Sequence, residues 1–270
     1  MKKILLTTDF SDNARNALDY AINLFGLNAD YTLLNSFTEP SSTTGVMVSI
    51  VEYLQKESKE GLVKQTEELV SAFPGITLSW QSHYGDLAKV VNKLSESETY
   101  DYTIIGTKGA SSFENFLVGS NTLNVVKTVK MPLMVIPTEI SYKEISKIAL
   151  ATDYQHTDQI EVMKPLVDLA ELTKAELLIV NVRNADDETN YEEAMEGFNL
   201  HNVLEGIDHS FHTKQHDRVV TGIEEFVDEQ NVDVLTMVAH KHSFFERLFH
   251  KSITKQVSMF ASTPLLIIHD

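Results

Sequence analysis

The chain has no cysteine, which excludes disulfides, thiolate metal sites and cysteine nucleophiles. It is short of basic residues. Lysine and arginine total 22 against 39 aspartates and glutamates, a formal net charge of -17. Both halves share the deficit, with 11 basic against 16 acidic residues up to Glu139 and 11 against 23 from Ile140 onward. Such a field repels a phosphate backbone, so nucleic acid is not an expected partner. A single loop of oriented backbone amides can still hold a nucleotide. No apolar run reaches membrane-spanning length. Met1-Lys2-Lys3 followed by Ile4-Leu5-Leu6 resembles the start of a signal peptide, but the run stops at Thr7-Thr8-Asp9, far short of an h-region. A cytoplasmic location fits these absences. Neither a G-x4-G-K-[ST] loop nor a G-x-S-x-G elbow is present, so two common routes to phosphoryl or acyl transfer are missing.

What is present is a repeat. At 270 residues the chain exceeds the usual size of one domain, and two domains, 1–140 and 141–270, are expected. Ile4-Leu5-Leu6-Thr7-Thr8-Asp9-Phe10 recurs as Ile148-Ala149-Leu150-Ala151-Thr152-Asp153-Tyr154. Further matches follow in the same order: 29–35 with 175–181, Asp101 with Asp233, Phe113-Glu114 with Phe245-Glu246, and Met131-Pro132-Leu133 with Thr263-Pro264-Leu265. Collinear matches of this kind argue for duplication. The join around Pro137–Tyr142 contains no glycine-serine tract or charge run long enough to be a free linker.

Within each half, short apolar segments alternate with helical patterns, the signature of an α/β fold on a parallel sheet. Five strands per half are expected, near 3–8, 30–36, 76–83, 101–106 and 132–137, and near 146–152, 175–182, 207–214, 232–239 and 264–269. Their apolar character suits strands covered on both faces. Val51, Leu54, Ser58, Leu62, Gln65, Leu69 and Ala72 mark one helix face, stopped by Phe73-Pro74-Gly75. The acidic residues Asp186, Asp187, Glu188, Glu192, Glu193 and Glu196 read as the solvated face of another helix.

After the fourth strand of the first half come Gly106, Gly109, Gly119 and Ser120, in the spacing G-x2-G-x9-G-S. Glycine lets backbone N–H groups approach an anion at the carboxyl end of a strand. Ser120 would supply a capping hydroxyl and a helix dipole. Three glycines at fixed offsets arise by chance roughly one time in ten in such a chain. The context of strand, hydroxyl and helix start is what makes the spacing informative. The competing reading gives these glycines turn geometry alone and makes Asp9 a helix cap within Asp9-Phe10-Ser11-Asp12.

With the repeat, the five strands, Thr8-Asp9 and the glycine element together, the chain resembles the universal stress protein family as a tandem member. Gly106-Thr107-Lys108-Gly109 and Gly119-Ser120-Asn121-Thr122 match that family's ATP-binding pattern. The resemblance implies two tandem five-stranded domains of strand order 3-2-1-4-5, paired like a dimer through their fifth strands, with ATP or ADP as ligand, with or without magnesium. It places Thr8 and Asp9 beside the adenosine, and Ser36 facing the adenine through its backbone. Gly106, Thr107 and Gly109 lie near ribose and phosphates, Lys108 near the phosphate tail, and Gly119, Ser120 and Asn121 hold that tail. No catalytic residue is assigned.

The second half departs from the pattern. Aligning Phe245-Glu246 on Phe113-Glu114 sets Val238 opposite Gly106, Lys241 opposite Gly109 and Lys251 opposite Gly119, while Ser252 remains opposite Ser120. A glycine cradle cannot form there unchanged. Nine of the ten histidines also fall in this half. His209 points to one face of its strand and His212 and His216 to the other, so they form no ready ligand set. Exposed or hydrogen-bonding roles are expected, no metal site is assigned, and a zinc site of loop histidines is the alternative. The leading function is a non-enzymatic, nucleotide-binding stress-response protein. A slow ATP hydrolase or phosphotransferase and a nucleotide-free interaction scaffold are the alternatives. Homodimer formation and protein partners are left open.

Overall fold

The computed structural model describes residues 1–39, 47–107, 119–154, 159–184, 191–239 and 262–269. The chain forms two compact units, Met1–Tyr142 and Lys143–Asp270. The first runs β1 (Lys3–Thr7), α1 (Asp12–Phe25), β2 (Asp30–Phe37), α2 (Met47–Ala72), β3 (Thr77–Tyr84), α3 (Leu87–Ser97), β4 (Tyr102–Gly106), α4 (Ser120–Thr128) and β5 (Leu133–Ile136). The second runs β6 (Lys147–Ala151), α5 (Ile160–Thr173), β7 (Glu176–Arg183), α6 (Tyr191–Val203), β8 (His209–Gln215), α7 (Val219–Gln230), β9 (Val234–Ala239) and β10 (Leu265–His269).

All strand pairs within each unit are parallel, in the order β3-β2-β1-β4-β5 in the first and β8-β7-β6-β9-β10 in the second. Each expected strand is found within two residues of its expected ends. The inner strands are apolar because both faces are covered: Ile4, Leu5 and Leu6 of β1 and Ile148, Ala149 and Leu150 of β6 are fully buried. The outer strands β3 and β8 correct the expectation of uniformly covered strands. Their residues are all half-buried or exposed, and Trp80 and Phe211 reach solvent. An edge strand has less to cover it, and its sequence is correspondingly more polar.

The expected face of α2 is present: Val51 and Leu54 are half-buried and Ser58, Leu62, Gln65 and Leu69 are buried, whereas Ala72, at the helix end, is exposed. Gly75 follows with φ +92°. The acidic segment 185–190 lies outside the described residues, as do the side chains of Glu192, Glu193 and Glu196 in α6. Among the described residues no helix is long and apolar enough to cross a membrane.

The repeated aspartates clamp the first strand of each unit. Lys3 N donates to Asp101 Oδ2 (2.8 Å). In the second unit Asp233 Oδ2 accepts from Ser146 N, Ser146 Oγ and Lys147 N (2.8, 2.9 and 3.0 Å), and Lys143 Nζ stands 2.8 Å from Oδ1. Burial raises the Asp233 carboxyl, but these donors outweigh it and hold the group below its ordinary value. The segment after β5 is tied down, with Asn16 Nδ2 donating to the carbonyls of Pro137 and Ile140 (3.2 and 3.0 Å).

Candidate functional site

In the first unit β1 lies between β2 and β4. The chain order of the strands reverses beside β1, and the crevice at the carboxyl ends there is where open α/β sheets bind ligands. Thr8, Asp9, Gly106 and Thr107 all lie at those ends, since β1 closes at Thr7 and β4 at Gly106. β1 makes its last pairing with β2 at Thr7 opposite Leu34, which leaves Ser36 beyond that pairing, half-buried on the same edge.

Thr8 is buried and shapes the turn. Its N–H donates to Leu34 O (2.9 Å), its carbonyl accepts from Asn35 Nδ2 (2.8 Å), and its Oγ1 accepts from Phe10 N (3.0 Å). That last bond braces Phe10 at φ +65°, a left-handed conformation that costs a residue with a Cβ. The Phe10 ring then lies against α2 at Gly61, where a Cβ would stand 2.6 Å from it. Asp9 is exposed, and its Oδ1 accepts from Ser11 N and Ser11 Oγ (3.2 and 2.6 Å). Ser11, not Asp9, is the N-cap of α1, accepting from Ala14 N (3.2 Å). Asp9 positions the cap.

The second unit repeats the three threonine bonds of this turn. Thr152 N donates to Val180 O (3.0 Å), Asn181 Nδ2 to Thr152 O (2.8 Å) and Tyr154 N to Thr152 Oγ1 (2.8 Å), with Tyr154 at φ +67° beside Gly197.

The two ends of the glycine element are brought together. Gly119 N donates to Thr107 O (2.7 Å), and Thr122 Oγ1, buried in the first turn of α4, donates to Gly106 O (2.8 Å). Thr107 is itself buried, its hydroxyl 3.2 Å from that of Thr138. Ser120 does not cap α4. The cap position falls on Gly119, with no side-chain hydrogen bond, and Ser120 and Asn121 are exposed first-turn residues. By contrast Ser11 caps α1 and Asp86 caps α3, accepting from Lys89 N (3.2 Å). Lys108 and Gly109 lie outside the described residues, as do Lys241, Lys251, Ser252 and the histidines at 240, 242 and 250.

Four contributions were not read from the sequence. A Cβ on Gly106 would stand 3.1 Å from the Asn13 carbonyl oxygen, so this glycine also allows α1 to approach β4. Thr122 fixes α4 on β4, and Asn35 fixes β2 on the turn after β1. Asp86 links two helices, since Asn124 Nδ2 of α4 reaches both its oxygens (3.3 and 3.1 Å). Of these only Asp86 carries a sequence signal, a capping residue after Gly85 and before an apolar-periodic stretch.

The model of the universal stress protein family matches residues 1–137 and again 144–269. The chain belongs to the universal stress protein family. It is a tandem member, with the family's domain twice in succession. Universal stress protein MJ0531 of Methanocaldococcus jannaschii is 27% identical over 140 residues, a match covering 50% of this chain and 81% of that protein. MJ0577 of the same organism is 27% identical over 157 residues, covering 50% of this chain and 94% of the relative. Among solved structures, a universal stress protein from Archaeoglobus fulgidus superposes with a TM-score of 0.73 at 20% identity, covering 98% of this chain and 95% of that one. The Pseudomonas aeruginosa protein PA1789 superposes with a TM-score of 0.63 at 12% identity, covering 100% of this chain and 92% of its own. At these identities the structural likeness is one of fold.

Proposed function

We propose that the first unit of this universal stress protein binds one adenine nucleotide, ATP or ADP, and acts as a regulator whose nucleotide state alters its conformation or partners. The observation that carries this reading is the start of α4. Gly119 leaves the first-turn N–H groups without a side-chain cap, while its own N–H is drawn to Thr107 at the end of β4. Uncapped N–H groups and the helix dipole together suit an anion. Gly119, Ser120 and Asn121 are the groups assigned to the phosphates. Thr8, Asp9 and Ser36 stand at the neighbouring strand ends for the nucleoside, with Gly106 and Thr107 between. Lys108 and Gly109 belong to the proposed site by their place in the motif. Magnesium would accompany the phosphates. The role is proposed as non-catalytic on the sequence, which carries neither a G-x4-G-K-[ST] loop nor a G-x-S-x-G elbow, and slow hydrolysis is the outcome to exclude.

The test is a thermal-shift titration with ATP and with ADP. Saturating stabilisation is expected, about 2.7 kcal/mol at a hundredfold excess over Kd. It should vanish in Gly119→Lys, which places in this unit the residue found at position 251 of the other. No shift with either nucleotide would sink the proposal. Phosphate release by the same preparation separates binder from hydrolase.

A further inference from the structure

Away from the crevice, the second unit sets two imidazoles edge to edge. His201 is in the last turn of α6 and His209 opens β8, and Nδ1 of His201 stands 2.8 Å from Nε2 of His209. On its other side His209 Nδ1 lies 2.7 Å from the Ile207 carbonyl oxygen. A carbonyl can only accept, so the proton of the neutral ring sits on Nδ1 and the Nε2 lone pair faces His201. A histidine whose second ring nitrogen donates to a backbone carbonyl has its tautomer and orientation set as metal-ligating histidines do. Phe211 packs edge-on against the His209 ring at 5.7 Å and restrains its plane. His201 is exposed and fills the gap with its own Nδ1–H. Moving that proton to Nε2 of the same ring, through solvent, frees a second lone pair beside the first.

The geometry points to a two-histidine site, His201 with His209, that takes one divalent transition-metal ion in place of the shared proton. Metal–nitrogen bonds of about 2.0–2.1 Å put two ligand nitrogens about 2.9 Å apart at a right angle and about 3.4 Å apart at the tetrahedral angle. The separation of 2.8 Å therefore matches the right-angled pair of square or tetragonal Ni2+ or Cu2+, with the rings turning so that both lone pairs meet at an ion beside the line between the nitrogens. Zinc needs the rings to part by about half an ångström. Magnesium and calcium, which take oxygen ligands, do not fit. No group of three or more His, Asp or Glu converges among the described residues, so water completes the coordination from the exposed side. His212 and His216 stay outside it on the other face of β8: His212 Nε2 is 2.8 Å from Ser210 Oγ, and His216 Nδ1 accepts from Arg218 N at 2.8 Å. A bound ion would tie the end of α6 to an outer strand.

The test is calorimetric titration of the full chain with NiCl2, beside His201→Ala and His201→Gln, with metal-free melting curves showing that the variants keep the fold. The intact chain is expected to bind one more equivalent of Ni2+ than either variant, or the same equivalent more than about tenfold tighter, tenfold being the lower bound for losing even an outer-shell partner. Mg2+ in the same cell should give no binding at this site. Cu2+ bound to the intact chain should show one more coordinated imidazole nitrogen by electron paramagnetic resonance than in His201→Ala. Equal Ni2+ stoichiometry and affinity in the intact chain and both variants overturns the assignment. Because nucleotide is absent throughout, that outcome leaves the reading of the first unit untouched.

Discussion

A methyl group on Gly106 would meet the Asn13 carbonyl oxygen at 3.1 Å, and the obstacle is backbone on a packed helix rather than a side chain that can swing away. Gly106 therefore serves the α1–β4 contact before any ligand arrives. Gly106→Ala is expected to lower stability by about 1–3 kcal/mol in nucleotide-free protein, the usual cost of overpacking, measured by urea unfolding. Unchanged nucleotide-free stability with a weakened ATP shift would assign this glycine to the ligand alone. The same distinction runs through the other motif residues. Thr8 was legible as a site residue because of its place after β1, but its partners Leu34, Asn35 and Phe10 make it a brace for a left-handed turn. Its backbone bonds depend on register between strands, which no residue type announces.

Strands and helices were readable because their periodicity is a local property, and order 3-2-1-4-5 followed from the resemblance. Coverage was less readable: β3 and β8 have the length of inner strands, and only their polar residues betray an edge. Helix caps fell between these cases. Ser120 has the right chemistry for a cap but sits one residue too late, whereas Asp86 holds both α3 and, through Asn124, α4. Asp86→Ala should destabilise the first unit by about 0.5–2 kcal/mol through the lost cap, and combined with Asn124→Ala the loss should be less than the sum of the two single changes. Strict additivity in that cycle would show that the two helices are not coupled through this carboxylate. In the second unit the counterpart of Gly106 is Val238, buried at the end of β9, and α5 begins only at Ile160, where the repeat would place the residue matching Asn16. A side chain at that strand end and an α1-like first turn over it would compete for the same space.

For the whole chain, the dominant electrostatic fact is the charge of -17. The helix ion pairs Lys56–Glu60 and Lys64–Glu68 are exposed on both sides, and such contacts contribute about 0–1 kcal/mol each at most. Unbalanced carboxylates repel one another in the folded state more closely than in the unfolded chain. Raising sodium chloride from about 0.01 to 0.1 M shortens the screening length from about 30 to about 10 Å, and the thermal midpoint should rise. A midpoint that stays level or falls would mean that the ion pairs outweigh the net repulsion.

The left-handed aromatic after β1 bears on how such duplicated chains are counted. Phe10 and Tyr154 are held by the same threonine and asparagine bonds, although only the first unit keeps the glycines. The Thr-Asp signature is thus a tally of domains, inherited wherever the turn must close. Ligand chemistry is a separate inheritance that one copy can shed while the turn survives, so two signatures in a chain promise two folds and leave the number of occupied sites to the residues after the fourth strand.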